Sequence, residues 1–237
     1  MIETKPVFVR TKNVRNFEVM MDDLARAEGE GRFGMVFGQA GRGKTRTAQW
    51  YAANNGCAYL RMAGVWRTSE LDFLQALCRE LGVLTPSHRK GPCYVQAIDK
   101  LVAASRPVFF DEIERLPASY LDLCRDIADM SGAAFIMIGE EELHTCMSRN
   151  RRVWSRTFQH IEFEPLAPSD IIIYAAESAG LKLEVPVAAV FHRASGGDFR
   201  IVRRDLLALV QMLNAQGKTE VTEALAKIAV KAGLTGK

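Results

Sequence analysis

The amino-acid sequence predicts an α/β fold in which a doubly wound parallel sheet precedes a small C-terminal helical domain. Apolar runs of strand length alternate with helical patterns as far as about residue 165, and parallel strands need such crossover connections. Beyond that point only helical periodicity remains, and Pro165 and Pro168 mark the junction. These observations predict one domain over residues 1–165 and a second over residues 166–237.

Five apolar segments have the length of strands, and one of them is apolar on both faces, as a central strand of a parallel sheet should be. The five are Gly34–Phe37, Ala58–Met62, Pro107–Phe110 (the one apolar on both faces), Ala134–Ile138 and Phe158–Phe163. Helices are predicted between and after them. Their approximate bounds are Lys44–Asn54, Ser69–Leu81, Tyr94–Ala104, a segment from Pro117 to Met130, Ser169–Ala179, Val187–Ala194, Phe199–Gln216 and Val221–Ala232.

The composition is that of an ordinary globular protein. Of 237 residues, 48% are hydrophobic and 25% charged, and the net charge of +3 permits nucleic-acid binding without requiring it. No apolar run reaches the roughly 18–20 residues needed to cross a bilayer, and the first residues lack the pattern of a secretory signal. The five cysteines and four histidines show no metal-ligand spacing. We therefore expect a cytoplasmic protein with reduced thiols and no membrane partner.

The strongest motif is a glycine-rich loop between the first predicted strand and the first predicted helix. It reads Gly38-Gln39-Ala40-Gly41-Arg42-Gly43-Lys44-Thr45 and matches G-x-x-x-x-G-K-[ST] at every fixed position. The glycines let backbone N–H groups turn toward phosphate oxygens, and the helix N-terminus adds partial positive charge. Lys44 is predicted to reach the β- and γ-phosphates and Thr45 to bind Mg²⁺, so the loop predicts a site for ATP and Mg²⁺.

A second motif is the apolar strand Val108-Phe109-Phe110 followed by two acids. Asp111 is predicted to hold Mg²⁺, and Glu112 stands where a base could polarise the attacking water. Taken with the glycine-rich loop, this pair predicts ATP hydrolysis.

The strand Ala134–Ile138 ends in Gly139 and Glu140, where proteins of this architecture mostly have a polar residue that contacts the γ-phosphate or the water. Three interpretations are open. Glu140 takes a modified role in that contact, the contact is missing, or Glu140 belongs to an acidic helix N-terminus stabilised by the helix dipole.

Arginines near both predicted domains are candidates for contacts with phosphate. Arg149, Arg151, Arg152 and Arg156 form a basic cluster before the last strand. Arg156, and after it Arg152, could act as an arginine finger on a neighbouring subunit; the alternative is a solvated basic surface. Arg200, at the start of the helix after Gly196-Gly197-Asp198, could reach back to the phosphates of ATP, or could simply follow a helix cap.

These features occur in order over nearly the whole chain, which resembles the P-loop ATPases of the AAA+ superfamily. The resemblance assigns Walker A to residues 38–45, Walker B to 108–112, the sensor-1 strand to 134–138, the sensor-2 arginine to Arg200, and the helical domain to a lid. Several segments look like the transposition ATPases, the group of the Mu-like phage B protein and the TniB and TnsC regulators. They are residues 10–17, 111–116, 123–127 and 135–139.

The resemblance implies an ATP-dependent DNA-binding protein of a bacterium or a phage-infected host. Such proteins form homo-oligomers, as rings or helical filaments on duplex DNA, mark the target and stimulate a transposase. Two basic loops are candidates for the DNA contact: residues 61–67, with Arg61, Trp66 and Arg67, and residues 87–90, with Arg89 and Lys90. Each could equally be a solvated loop, and Trp66 a partly buried core aromatic.

Two other functions share the same nucleotide site. One is a replication initiator or helicase loader of the AAA+ type, which differs in its partner. The other is a nucleotide-gated switch that binds ATP and hydrolyses it very slowly. Glu112 argues against the switch, whereas the unusual Gly139-Glu140 tip argues for it.

Overall fold

The computed structural model describes residues 1–27 and 32–235. Its five strands form one parallel sheet in the order β2-β3-β4-β1-β5. The strands are β1 (Phe33–Phe37), β2 (Ala58–Arg61), β3 (Val108–Asp111), β4 (Phe135–Ile138) and β5 (Thr157–Glu162). The predicted α/β fold with a parallel sheet is therefore confirmed, and no end of a predicted strand is displaced by more than one residue.

The helices connect the strands along the chain and continue after the last strand. They are α1 (Lys12–Arg26), α2 (Lys44–Asn55), α3 (Glu70–Glu80), α4 (Lys90–Ala103), α5 (Ser119–Ser131), α6 (Glu141–Arg149), α7 (Arg151–Trp154), α8 (Pro168–Ala179), α9 (Val185–Ser195), α10 (Phe199–Gln216) and α11 (Glu223–Thr235), with short 3-10 helices at Gly64–Thr68 and Ile113–Arg115. The helix α1 is not among the helices predicted from the sequence. Among the described residues, none of these helices is long and apolar enough to cross a membrane.

The chain forms two compact units. The sheet unit comprises Asn16–Gln39 and Lys44–Phe163, and the helical unit comprises Met1–Arg15, Ala40–Gly43 and Glu164–Lys237. The first residues belong to the helical unit because Val9 packs in its core. The backbone N–H of Lys5 also donates to the carbonyl of Ser178 at 2.8 Å. The predicted domain boundary at residues 165 and 166 stays a prediction.

The central strands of the sheet unit are buried on both faces. Phe110 packs with Phe33 and Phe135 on one face, while Phe109 packs with Phe17 in the cluster on the other. All four residues of β3 and all four of β4 are buried. Alternate side chains of β3 thus pack in two separate cores, one on each face of the sheet. This is the arrangement expected of a central strand.

The strand register brings the motif-bearing ends together. Ile138 at the end of β4 pairs with Val36 of β1 and with Asp111 of β3. In a parallel sheet all carboxyl ends lie at one edge, and ligands of open α/β sheets bind outside that edge. The start of the glycine-rich loop, the acid pair and Gly139 therefore share one edge of the sheet.

Candidate nucleotide site

The glycine-rich loop has a backbone that only glycine adopts readily. Gly38 has a φ of +135°, and a Cβ there would lie 2.8 Å from the carbonyl oxygen of Phe163. Gly43 has a φ of +93°. Both values lie in the region that side-chain-bearing residues avoid, so the fixed glycines of the motif follow from the path of the chain.

Lys44 is buried at the first turn of α2. Its Nζ atom donates to the carbonyl oxygens of Gly38 at 2.6 Å and Gln39 at 2.9 Å. A buried ammonium group held within a loop at a helix N-terminus suits a phosphate, because the charge is already desolvated and the helix dipole has the same sign. These residues therefore fit a nucleotide phosphate.

Residues 40–43 of the loop are bonded within the helical unit. The backbone N–H of Phe199 donates to the carbonyl of Gly41 at 2.9 Å, and Arg42 donates to the carbonyl of Gly196 at 2.7 Å. A Cβ on Gly41 would overlap the carboxylate of Asp198, which caps α10 by accepting from the N–H of Arg200 at 2.7 Å. The side chain of Arg200 is exposed in this first turn, and its contact with a nucleotide stays a prediction.

Asp111 ends β3 with a carboxylate that is almost fully buried. The Tyr59 hydroxyl donates to its Oδ2 atom at 2.6 Å. Burial, and then this hydrogen bond, raises the pKa of Tyr59 above its ordinary value. Within residues 1–27 and 32–235 no group of three His, Cys, Asp or Glu side chains could hold a metal. The Asp111 carboxylate is of the ligand type that Mg²⁺ prefers alongside phosphates and water, and its pairing with the Thr45 hydroxyl stays a prediction.

Glu112 has an unusual backbone conformation, and its side chain forms two ion pairs. Its φ of +60° is the one positive value among the non-glycine residues described. Its carboxylate accepts from Arg61 at 2.5 Å and from Arg115 at 2.6 Å. Burial raises the pKa of Glu112, but these two guanidinium groups outweigh burial and lower the pKa below its usual value. We call Arg61, Glu112 and Arg115 the glutamate clamp.

The tip of β4 leads into an acidic helix N-terminus, as one of the sequence interpretations predicts, because Glu141 and Glu142 lie in the first turn of α6. Glu140 is exposed and precedes α6, and its side chain makes no capping hydrogen bond. Its backbone N–H instead donates to the carboxylate of Glu114 at 3.1 Å. Glu114, which lies in the 3-10 helix after β3, was not singled out in the sequence, because residues of a short turn after Walker B follow no apolar periodicity.

The two arginine-finger candidates differ in their surroundings. Arg156 donates through Nε to both carboxylate oxygens of Asp129, at 2.9 and 3.2 Å, and its side chain is mostly buried. Arg152, in α7, is exposed. An arginine that acts on a neighbouring subunit has to extend from the surface, so the geometry favours Arg152 over the residue ranked first from sequence.

In the first basic loop, residues 61–67, the exposed side chains are not all the ones that the sequence predicts. Trp66 is half-buried and packs edge-to-face against Phe73 with 6.3 Å between ring centroids, and the Tyr120 hydroxyl bonds its carbonyl. Arg67 is exposed, and Val65 beside it is 76% exposed. Trp66 thus contributes to the core, and the exposed apolar residue of this loop is Val65.

The second basic loop leads into α4. Arg89 is exposed, whereas Lys90 forms an ion pair with Glu70 of α3. Exposed ion pairs of this kind contribute little to stability and exchange readily for a phosphate. Both residues therefore stay candidates for a contact with DNA.

Comparison with known proteins gives a family and two kinds of relative. Residues 27–147, about half of the chain, match the AAA domain family. The Mu-like prophage FluMu DNA transposition protein B of Haemophilus influenzae is 24% identical over 206 residues, covering 83% of this chain and 70% of that protein. The ATP-dependent target DNA activator B of Escherichia phage Mu is 26% identical over 158 residues, covering 66% of this chain and 50% of the activator. The resemblance expected from the motifs is thereby confirmed.

Among solved structures, the ORC2 protein of Aeropyrum pernix superposes with a TM-score of 0.67 at 16% identity, covering 99% of this chain and 70% of that chain. At this identity the similarity concerns the fold, and it supports the P-loop α/β architecture with an attached helical part.

Proposed function

We propose that this chain, which belongs to the AAA domain family, is a Mg²⁺-dependent ATPase that binds duplex DNA as an ATP-dependent oligomer and serves DNA transposition. It would select target DNA and stimulate a transposase from the cytoplasm of a bacterium or a phage-infected host. The observation that carries the proposal is the shared sheet edge of the glycine-rich loop and the acid pair, in a chain similar to two phage transposition proteins. The chain spans about half the length of the Mu activator.

The chemistry follows from the side chains at that edge. Lys44 leaves the loop carbonyls for the β- and γ-phosphates, which offer its charge a stronger partner. Thr45 and Asp111 hold Mg²⁺, which neutralises phosphate charge when bound. Glu112 accepts a proton from the water that attacks the γ-phosphorus, and ADP leaves as the bond to the bridging oxygen breaks.

The glutamate clamp supports slow hydrolysis that a partner accelerates. A base whose two oxygens are bonded to guanidinium groups, and whose pKa is lowered, takes a proton poorly. Arg61 belongs to the loop proposed to contact DNA and its side chain is 56% exposed, so a DNA phosphate can compete with Glu112 for it. Binding of DNA would then release the base.

Two arginines are proposed to complete the site. Arg152 acts in trans on the terminal phosphate held by a neighbouring subunit of the oligomer, because its guanidinium is exposed. Arg200 contacts the phosphates in cis from the first turn of α10. The Asp198 cap supports this role by fixing the start of that helix beside the Gly41 segment of the loop.

A nucleotide-gated switch is the second candidate, and the glutamate clamp is the observation that favours it. If no partner opens the clamp, ATP binding alone would control the assembly. The switch and the ATPase share the same predicted ATP contacts, so they differ only in the rate of hydrolysis.

The proposal is tested by duplex-DNA binding in the presence of ATP, ADP and a non-hydrolysable ATP analogue, followed by negative-stain imaging. We expect rings or filaments on DNA with a triphosphate and none with ADP. Absence of DNA binding in all three nucleotide states would remove the role in transposition and leave the ATP site to serve a protein partner.

A further inference from the structure

Position 139, at the tip of β4, has no side chain because Glu114 fills the space beside it. A Cβ on Gly139 would overlap Oε2 of Glu114 and lie 2.8 Å from its Cδ atom. Gly139 does not have the positive φ that requires glycine elsewhere in this chain. The glycine at this strand tip is therefore explained by crowding, chiefly from the carboxyl group of Glu114 and less severely from the Cβ atom of Leu143 at 3.0 Å, and not by backbone conformation.

Of the two oxygens of the Glu114 carboxyl group, one accepts a hydrogen bond and the other does not. Oε1 accepts from the backbone N–H of Glu140 at 3.1 Å, at the start of α6. Oε2 is buried and has no hydrogen-bond partner among the described residues. An unpaired buried acceptor is destabilising, so an oxygen kept in this state calls for a hydrogen-bond donor that the described residues do not provide.

The carboxyl group lies beside the tip of β4, at the carboxyl edge of the sheet. Gly139 follows Ile138, which pairs with Val36 of β1 and Asp111 of β3, and its N–H donates to the Val36 carbonyl at 3.0 Å. The strand tip therefore lies between the strand that leads into the phosphate loop and the strand that carries the acid pair. Burial raises the pKa of Glu114, and the nearby charges of Asp111 and Glu112 add to the rise.

We propose that Glu114 supplies the polar group at the tip of β4 and orients the water that attacks the terminal phosphate. The inference rests on the proposed ATPase function. When the carboxyl group turns from Gly139 toward the bound phosphate, Oε2 of Glu114 accepts one O–H of the water, and the other proton passes to Glu112. The water oxygen forms the bond to the γ-phosphorus while the bond to the bridging oxygen breaks, and the electron pair leaves with ADP. Glu114 neither gains nor loses a proton, and Glu112 releases the proton it took to solvent before the next turnover.

The substitution Glu114→Gln tests this role against that of a helix cap. The glutamine amide has the same shape, and its oxygen can still accept from the Glu140 N–H, so the cap is retained. It lacks the second carboxylate oxygen that holds the water. We expect kcat for ATP hydrolysis to fall by about 10- to 100-fold, with KM within about twofold of the parent and Tm unchanged.

The control is Glu141→Gln, which neutralises an exposed carboxylate in the first turn of α6 and should leave kcat unchanged.

A rescue experiment moves the polar group from Glu114 to position 139, at the tip of β4. Glu114→Ala removes the overlap with the carboxyl group, and the Cβ atom of Leu143, 3.0 Å from a Cβ at position 139, then has to shift by only a few tenths of an ångström. Glu114→Ala combined with Gly139→Asn should therefore recover part of the kcat that Glu114→Ala alone loses.

The possible failures are distinguishable. A Glu114→Gln variant with the parental kcat per folded molecule overturns this inference and leaves Glu114 a cap of α6. A parent that hydrolyses no more ATP than Lys44→Ala removes the proposed ATPase function, and the inference with it.

Discussion

Removing one arm of the glutamate clamp should speed ATP hydrolysis in the absence of DNA. Arg61→Ala deletes the guanidinium that lies 2.5 Å from Oε1 of Glu112 and leaves Arg115 on Oε2. The Arg61 side chain is 56% exposed and that of Glu112 26% exposed, so solvent screens the pair, and such pairs contribute about 0.2–1 kcal/mol. Because about 1.36 kcal/mol corresponds to a tenfold change in rate, the expected rise in the DNA-free rate is at most about fivefold.

The assay is steady-state phosphate release with and without duplex DNA. We expect Arg61→Ala to raise the DNA-free rate and to shrink the ratio of the two rates, since the residue that DNA would draw away is already gone. Arg79→Ala, which removes an exposed arginine of α3, controls for the change in net charge and should alter neither rate. A DNA-free rate of Arg61→Ala at or below that of the parent, with normal ATP binding, would refute the clamp as an inhibitory contact.

The remaining predictions concern the loop, the base and one helix cap. Lys44→Ala should abolish ATP binding, measured by nucleotide fluorescence, while far-UV circular dichroism stays that of the parent; full activity would overturn the site assignment. Glu112→Gln should retain ATP and slow the release of DNA, and release as fast as in the parent means that Glu112 is not the base. Because the pKa of Glu112 lies below its ordinary 4.5 in the folded protein, the clamp stabilises the fold above that pH and loses its effect as pH falls below it. The fall in Tm between about pH 5 and pH 3 should be shallower in Arg61→Ala, and equal slopes would contradict the lowered pKa. Asp198→Ala removes the α10 cap and should cost about 1 kcal/mol in urea unfolding, and no change in the midpoint would contradict its capping role.

Much of the fold could be predicted from the sequence because local chemistry and tertiary structure agree there. The helix α3 is an example: Ser69 caps it by accepting from the N–H of Asp72, as its position before the apolar stripe predicts. The helix α10 has the predicted bounds, Phe199–Gln216. In contrast, α1 was not identified, although Val14, Phe17 and Met21 repeat at helical spacing and are buried. The spacing of these three apolar residues does predict an amphipathic helix over α1.

The motif residues of the candidate site were also predictable, because phosphate binding needs fixed residue types at fixed spacing. The side chains that contact those motif residues could not be predicted from the sequence. Glu112 is held by Arg61, 51 positions earlier in the chain, and Glu114 reaches Gly139, 25 positions later. Such pairings depend on which strands are neighbours, and single-residue patterns do not encode strand order. Trp66 shows the same limit, since an aromatic in a basic loop has the same local sequence whether it faces DNA or Phe73.

The most direct test of the account is phosphate release by the parent protein in the presence of ATP and Mg²⁺, with and without duplex DNA. We expect slow phosphate release without DNA, a clear increase with DNA, and no release above background in Lys44→Ala. Release at background level in both conditions, with ATP still bound, would contradict the ATPase and leave the nucleotide-gated switch.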